Sequence, residues 1–162
     1  MKKLVLILLF LSSISYAKEL QEYTFLGLNY SKSQFDISNQ TSQKDMFSIQ
    51  YGKQSTDYRT TFGFDYNKDY QSLTMELDMI LLDEMFHTPK LRPYIGFRTG
   101  TVRIKNSGLS DDSGYFYGGS FGFIIYANDN LDIDISYNYN IVQEVTNFDN
   151  VQNISLSIHY FL

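Results

Sequence analysis

The stretch Val151-Gln152-Asn153-Ile154-Ser155-Leu156-Ser157-Ile158-His159-Tyr160-Phe161-Leu162 decides the fold. Ile154, Leu156, Ile158, Tyr160 and Leu162 fall on one side of an extended chain, and Asn153, Ser155, Ser157 and His159 fall on the other. Successive side chains of a strand point to opposite faces, so this strict period of two marks a β-strand with one apolar and one polar face. The sequence stops on that strand, and its last residue is expected to be structural.

The same alternation recurs seven times upstream. Leu26, Leu28 and Tyr30 oppose Gly27 and Asn29 in a segment from about Glu22 to Ser31. A polar loop, Lys32 to Lys44, leads to Phe47, Ile49 and Tyr51 against Ser48, Gln50 and Gly52. After a tight turn at Lys53 to Asp57 come Tyr58, Thr60, Phe62, Phe64 and Tyr66 against Arg59, Thr61, Gly63 and Asp65. A turn at Asn67 to Tyr70 precedes Leu73, Met75, Leu77, Met79 and Leu81, which alternate with Thr74, Glu76 and Asp78. Asp83 to Arg92 reads as a connection, and Pro93 suits the start of the fifth strand, where Ile95, Phe97 and Thr99 oppose Gly96, Arg98 and Gly100. The Gly/Ser/Asp loop Lys105 to Gly114 is followed by Tyr117, Phe121, Phe123 and Ile125 against Gly118, Ser120 and Gly122. Beyond the Asn128-Asp129-Asn130 turn, Leu131, Ile133, Ile135, Tyr137, Tyr139 and Ile141 face away from Asp132, Asp134, Ser136 and Asn138. Gln143 to Asn150 is the last loop.

Ahead of these segments, Lys2 and Lys3, the apolar run Leu4 to Leu11 and the small-x-small site Ser15-Tyr16-Ala17 have the order of an export signal, expected to cover residues 1–17. The remainder, residues 18–162, is one domain's worth of chain. With no Cys, it forms no disulfide and carries no lipoprotein signal. Removing Lys2 and Lys3 leaves 11 basic against 18 acidic residues, a net charge of −7, which argues against nucleic acid as a partner. Aromatics reach 17%, all Tyr and Phe, with only two prolines, which is a strand composition.

Signal segment, eight alternating strands and closing strand together resemble the small Gram-negative outer-membrane β-barrels of the OmpA and OmpX type. The resemblance implies an eight-stranded antiparallel transmembrane barrel in the cell outer membrane. It also implies a last strand that pairs with the first and is read by the insertion machinery, with lipid and lipopolysaccharide around the wall. That class closes on a terminal aromatic; here Phe161 stands one place earlier and Leu162 is last. With the N-terminus in the periplasm, the second, fourth and sixth turns fall on the periplasmic side and the longer loops outside.

The polar faces are built of Gly, Ser, Thr, Asn and Gln with a few charges, a composition that fits a narrow lumen. Lys18, Lys32, Lys44, Lys53, Lys68, Lys90 and Lys105 are all read as lying at the terminus or in loops and turns, and Tyr51, Tyr58, Tyr66 and Tyr139 sit near strand ends. Both features suit apolar faces turned to lipid, with aromatic girdles at its borders. The inward charges are then Arg59, Asp65, Glu76, Asp78, Arg98, Asp132 and Asp134. Charges in a narrow lumen are costly unless paired or hydrated. They form either an internal network joining Arg59 and Arg98 to Glu76, Asp78 and Asp134, or a permeation element favouring cations or polar solutes.

Chemistry has thin support. Ser157 and His159 share a face but lie in no activating motif. His87 reads as a solvated turn residue, Asn128 to Asp134 lacks the glycine and distal glutamate of a calcium loop, and Asn39-Gln40-Thr41 is a sequon frequent by chance. No catalytic residue, metal or cofactor is expected. The leading expectation is a monomeric, non-enzymatic outer-membrane protein serving envelope integrity or surface interaction, its surface partner unassigned. The rivals are a narrow porin-like channel and a soluble exported lipocalin-like binder.

Overall fold

The computed structural model describes residues 22–37, 40–81, 88–105, 112–145 and 148–162. The signal segment at residues 1–17, His87 and Asn39 lie outside them. Eight strands follow in order: β1 (Tyr23–Ile37), β2 (Gln40–Gln54), β3 (Tyr58–Tyr66), β4 (Tyr70–Ile80), β5 (Leu91–Ile104), β6 (Asp112–Asn128), β7 (Leu131–Gln143) and β8 (Phe148–Phe161). Each pairs antiparallel with its successor, and β8 pairs with β1, closing the barrel. Closure satisfies the backbone groups that an open sheet would leave bare in a bilayer. At the seam His159 pairs with Gly27, where a β-carbon would collide with the imidazole, so glycine makes room for the ring.

The outward positions form a continuous apolar belt. Leu28, Phe47, Ile49, Leu73, Leu77, Phe97, Phe121 and Ile154 are all at least half exposed. Tyr51, Tyr58 and Tyr160 border the belt at the end that holds both chain termini; Tyr30, Tyr66, Tyr115 and Tyr139 border it at the distal end. A soluble barrel would turn these faces inward. Burial of polar residues inside and exposure of apolar ones outside is the arrangement of a barrel solvated by lipid.

Several strands outrun the expected boundaries. In the segment Lys32 to Lys44, read as a polar loop, residues 32–37 and 40–44 are ladder: β1 and β2 pair from Tyr23↔Gln54 out to Ile37↔Gln40. β6 begins inside the expected Lys105 to Gly114 loop, and β8 inside the expected Gln143 to Asn150 loop. Lys32, Lys44 and also Lys53, which falls within β2 rather than opening the expected Lys53 to Asp57 turn, lie on strands, which corrects the reading that confined lysine to loops and turns. The physical reason is a change of solvent along the strand. A strand of 15 residues rises about 50 Å, or about 38 Å when tilted by about 40°, whereas the apolar band of such barrels is only about 25 Å tall. Past that band the outward face meets water, so Lys32, Gln43 and Asp45 point out while Phe35 and Met46 point in.

β5 likewise starts two residues before Pro93. Pro93 tolerates the position because the β4–β5 ladder begins only at Ile80↔Tyr94, so the absent N–H falls beyond it, and the Pro93 carbonyl still accepts from Leu81 N at 2.9 Å.

Candidate functional site

Among the described residues the lumen gathers charge from several strands, and it is filled in three layers. Alternation puts every second residue of each belt strand inside, so Arg59, Glu76, Asp78, Arg98, Asp132 and Asp134 arrive from four strands and are all buried.

In the central layer Arg59 Nε donates to Asp78 Oδ2 at 2.9 Å, and its Nη2 donates to Asp134 Oδ2 at 2.5 Å. The same guanidinium lies 4.6 Å from the centre of the Tyr94 ring, whose hydroxyl donates to Asp134 Oδ1 at 3.1 Å. One cation thus ties β3, β4, β5 and β7 across the barrel. Arg98 Nε stands 3.4 Å from Glu76 Oε2, a second ion pair between neighbouring strands. The two remaining acids are met without arginine. Asp65 accepts from Ser48 and Ser72 hydroxyls, both at 2.5 Å, and from Thr74 at 2.9 Å. Asp132 Oδ1 lies 2.7 Å from His159 Nδ1. A cavity of about 20 Å³ among Asn29, Gln50, Glu76, Arg98, Ser157 and His159 has room for about one water molecule.

Apolar layers stand on both sides of the charges. Toward the distal end Phe35, Met46, Tyr70, Val102, Phe116, Val142, Phe148 and Val151 converge into one buried cluster. A bulge in the β1–β8 ladder between Asn150 and Phe148 changes the phase of β8, so that Phe148 and Val151 both point inward. Toward the terminal end Ile80, Tyr94 and Ile124 form a smaller layer, with Tyr126 packed on it. These apolar residues belong to the interior although the sequence reading assigned it only polar and charged side chains, while His159 faces inward as read. The detectable signal was the reversed sense of the alternation, with Gln34 and Asp45 on the outer face and Phe35 and Met46 on the inner.

No hydrogen bond joins Ser157 to His159 among the described contacts. His159 Nε2 lies 2.9 Å from Gln50 Oε1, and Ser157 Oγ accepts from Asn29 Nδ2 at 2.9 Å, so the two candidates for a nucleophile and base have other partners. Among the described residues no cluster of three or more His, Asp or Glu could hold a metal. Asp132 and Asp134 are spent inside the lumen, and Asn128 Oδ1 accepts Asn130 N at 2.9 Å, as in a simple turn. Outside the belt, Lys44 Nζ approaches Asp69 Oδ2 at 2.7 Å, and the hydrogen bond and the charge hold the Asp69 carboxyl below its ordinary value.

A closed barrel of eight strands, apolar outside and packed with paired charges within, defines the class of small transmembrane barrels. The solved structures agree at the level of the fold. Neisserial surface protein A shares 16% identity over 86% of this chain and 97% of its own, with a TM-score of 0.69. Outer membrane protein H of Pseudomonas aeruginosa shares 17% over 86% and 99%, with a TM-score of 0.67. The attachment invasion locus protein of Yersinia pestis, solved with the heparin analogue sucrose octasulfate, shares 14% over 88% and 100%, with a TM-score of 0.56. This chain has the fold of those outer-membrane barrels. No family model and no curated protein matches it.

Proposed function

We propose that the protein is a non-conducting, non-enzymatic outer-membrane barrel that works through its outer wall and its two ends, in envelope integrity or surface contact. The observation that carries this reading is the sealed lumen: a layer of paired charges between two apolar layers, with space for a single water. A channel needs a continuous wet path, and a barrel enzyme needs a reactive group presented to substrate; the packing favours neither. The belt contacts outer-membrane lipid and lipopolysaccharide, the closing strand is the segment read by the insertion machinery, and the barrel is monomeric. With the chain termini in the periplasm, the collar built by the long β1–β2 hairpin and the distal ends of β6 and β8 stands in the external medium.

Deletion in the source bacterium separates the readings. Loss of the protein is expected to sensitise cells to detergents and bulky hydrophobic antibiotics, or to reduce surface attachment, without slowing uptake of small sugars and amino acids. Slower uptake of those solutes, restored by the wild-type gene, would overturn the proposal in favour of a pore.

A further inference from the structure

At the terminal border of the belt the outer wall carries a cleft of about 470 Å³ on β2 and β3. That size falls within the range of small-molecule clefts, about 300–1,000 Å³. Its floor is Thr60, a short side chain set between Tyr58 and Phe62 along β3 and directly opposite Lys53 on β2. Tyr51 pairs with Phe62 on the side toward the belt, and the next pair up, Ile49 and Phe64, is part of the belt itself. One end of the cleft is therefore continuous with the lipid-facing surface.

The other end is charged. Lys53 Nζ stands 3.2 Å from Glu22 Oε2, and the two side chains are 57% and 52% exposed. An ion pair this open to water contributes little to stability, so each group stays available to a second partner. The ammonium has two further N–H donors and the carboxylate has further lone pairs. A cation and an anion side by side match a zwitterion, because each charge of the ligand then meets its opposite. Tyr51 and Tyr58 stand exposed at the same border, the level at which amphipathic rings meet lipid headgroups.

We infer that this cleft binds a phosphatidylethanolamine, its phosphate at Lys53, its ammonium at Glu22, and an acyl chain over Thr60 and against Phe62. An amphipathic zwitterion satisfies both ends of the cleft at once. The primary ammonium donates hydrogen bonds to Glu22, which the fully methylated nitrogen of phosphatidylcholine cannot do. Phosphatidylglycerol brings its phosphate beside Glu22 with no cation of its own to offset the repulsion. The inference rests on the reading that the belt works in lipid, and adds to it a site with a headgroup preference.

The test is native mass spectrometry of the mature chain, refolded in a nonionic glucoside detergent. The probes are dioleoyl phosphatidylethanolamine, phosphatidylcholine and phosphatidylglycerol at matched concentrations. The expected result is a saturable adduct of one phosphatidylethanolamine per barrel, held at least fivefold more tightly than either other lipid. Lys53→Gln should weaken that adduct at least fivefold, and Lys53→Arg should keep it. Glu22→Gln should bring phosphatidylethanolamine and phosphatidylglycerol within twofold of each other, and Lys32→Gln at the distal border should change nothing. All four side chains lie on the surface, and gel mobility of the folded barrel checks each variant. Equal retention of the three lipids, indifference to Lys53→Gln, or no saturable adduct would each overturn the site. The belt would survive those results if Leu77→Arg still weakens the barrel in vesicles; a Leu77→Arg barrel as stable as the wild type would overturn belt and site together.

Discussion

Arg59→Ala is the perturbation that the central layer makes most consequential. It removes two charge-assisted hydrogen bonds, at 2.9 Å to Asp78 and 2.5 Å to Asp134, from a side chain 3% exposed. Asp134 would keep the Tyr94 hydroxyl at 3.1 Å, and Asp78 the Ser120 hydroxyl at 3.4 Å, neither of them a cation. Stranding one partner of a buried ion pair costs about 3–5 kcal/mol, roughly two to three and a half powers of ten in the unfolding equilibrium. The layer lies inside the lumen, where lipid cannot reach to relieve it. The chain has no Trp, so the assay is urea unfolding in lipid vesicles followed by circular dichroism and by gel mobility of the folded barrel. The triple variant Arg59→Met, Asp78→Asn, Asp134→Asn should recover most of the loss, because it removes the stranded charges along with the pairing. A loss below about 1 kcal/mol for Arg59→Ala alone would refute the view that this guanidinium braces the barrel.

Further outcomes follow from the same geometry. Gly96→Ala puts a β-carbon into the Asp78 carboxylate and the Ser120 hydroxyl, so it should cost about 1–3 kcal/mol, whereas Gly63→Ala meets nothing nearer than 3.8 Å and should be tolerated; thermal melts of the two variants decide. Leu77→Arg, on the lipid face of β4, should cost about 2–4 kcal/mol in vesicle unfolding if the belt faces the bilayer, and almost nothing if it faces water. The Asp69 carboxyl is held below its ordinary value of 3.8 by Lys44, so its contribution is complete above that value and is lost as pH falls through the lower folded one. Lys44→Ala should bring the NMR titration of Asp69 back up toward 3.8, and an unmoved midpoint would discount the pair.

The belt was legible because lipid outside and polar packing inside impose one uninterrupted period of two. Residues such as Leu73, Met75, Leu77 and Met79 against Thr74, Glu76 and Asp78 admit one assignment of faces once lipid is the outer solvent. Seven inward charges could be named from parity alone, but their pairing could not, since Arg59 reaches Asp134 across 75 residues of sequence and four strands of barrel. The distal collar was illegible for a different reason. Beyond the bilayer the solvent outside becomes water, the alternation keeps its period but reverses its sense, and Lys32 to Lys44 then reads as a polar loop. The bulge before Val151 shifts the phase once more, which conceals Phe148 as an interior residue. His159 was noticed for its chemistry; that it serves Asp132 follows only from the pairing of Leu131↔Tyr160 that sets β7 beside β8.

The most direct test of the account is single-channel recording of the refolded wild-type barrel in a planar bilayer. A lumen closed by Phe35, Phe116 and Phe148 on one side, Ile80 and Ile124 on the other, and paired charges between them should insert without discrete conductance steps. Glu76→Gln and Arg98→Ala should stay silent too, because both apolar layers survive them. Stable ohmic steps from the wild type, with cation preference reduced by Glu76→Gln, would contradict the sealed lumen.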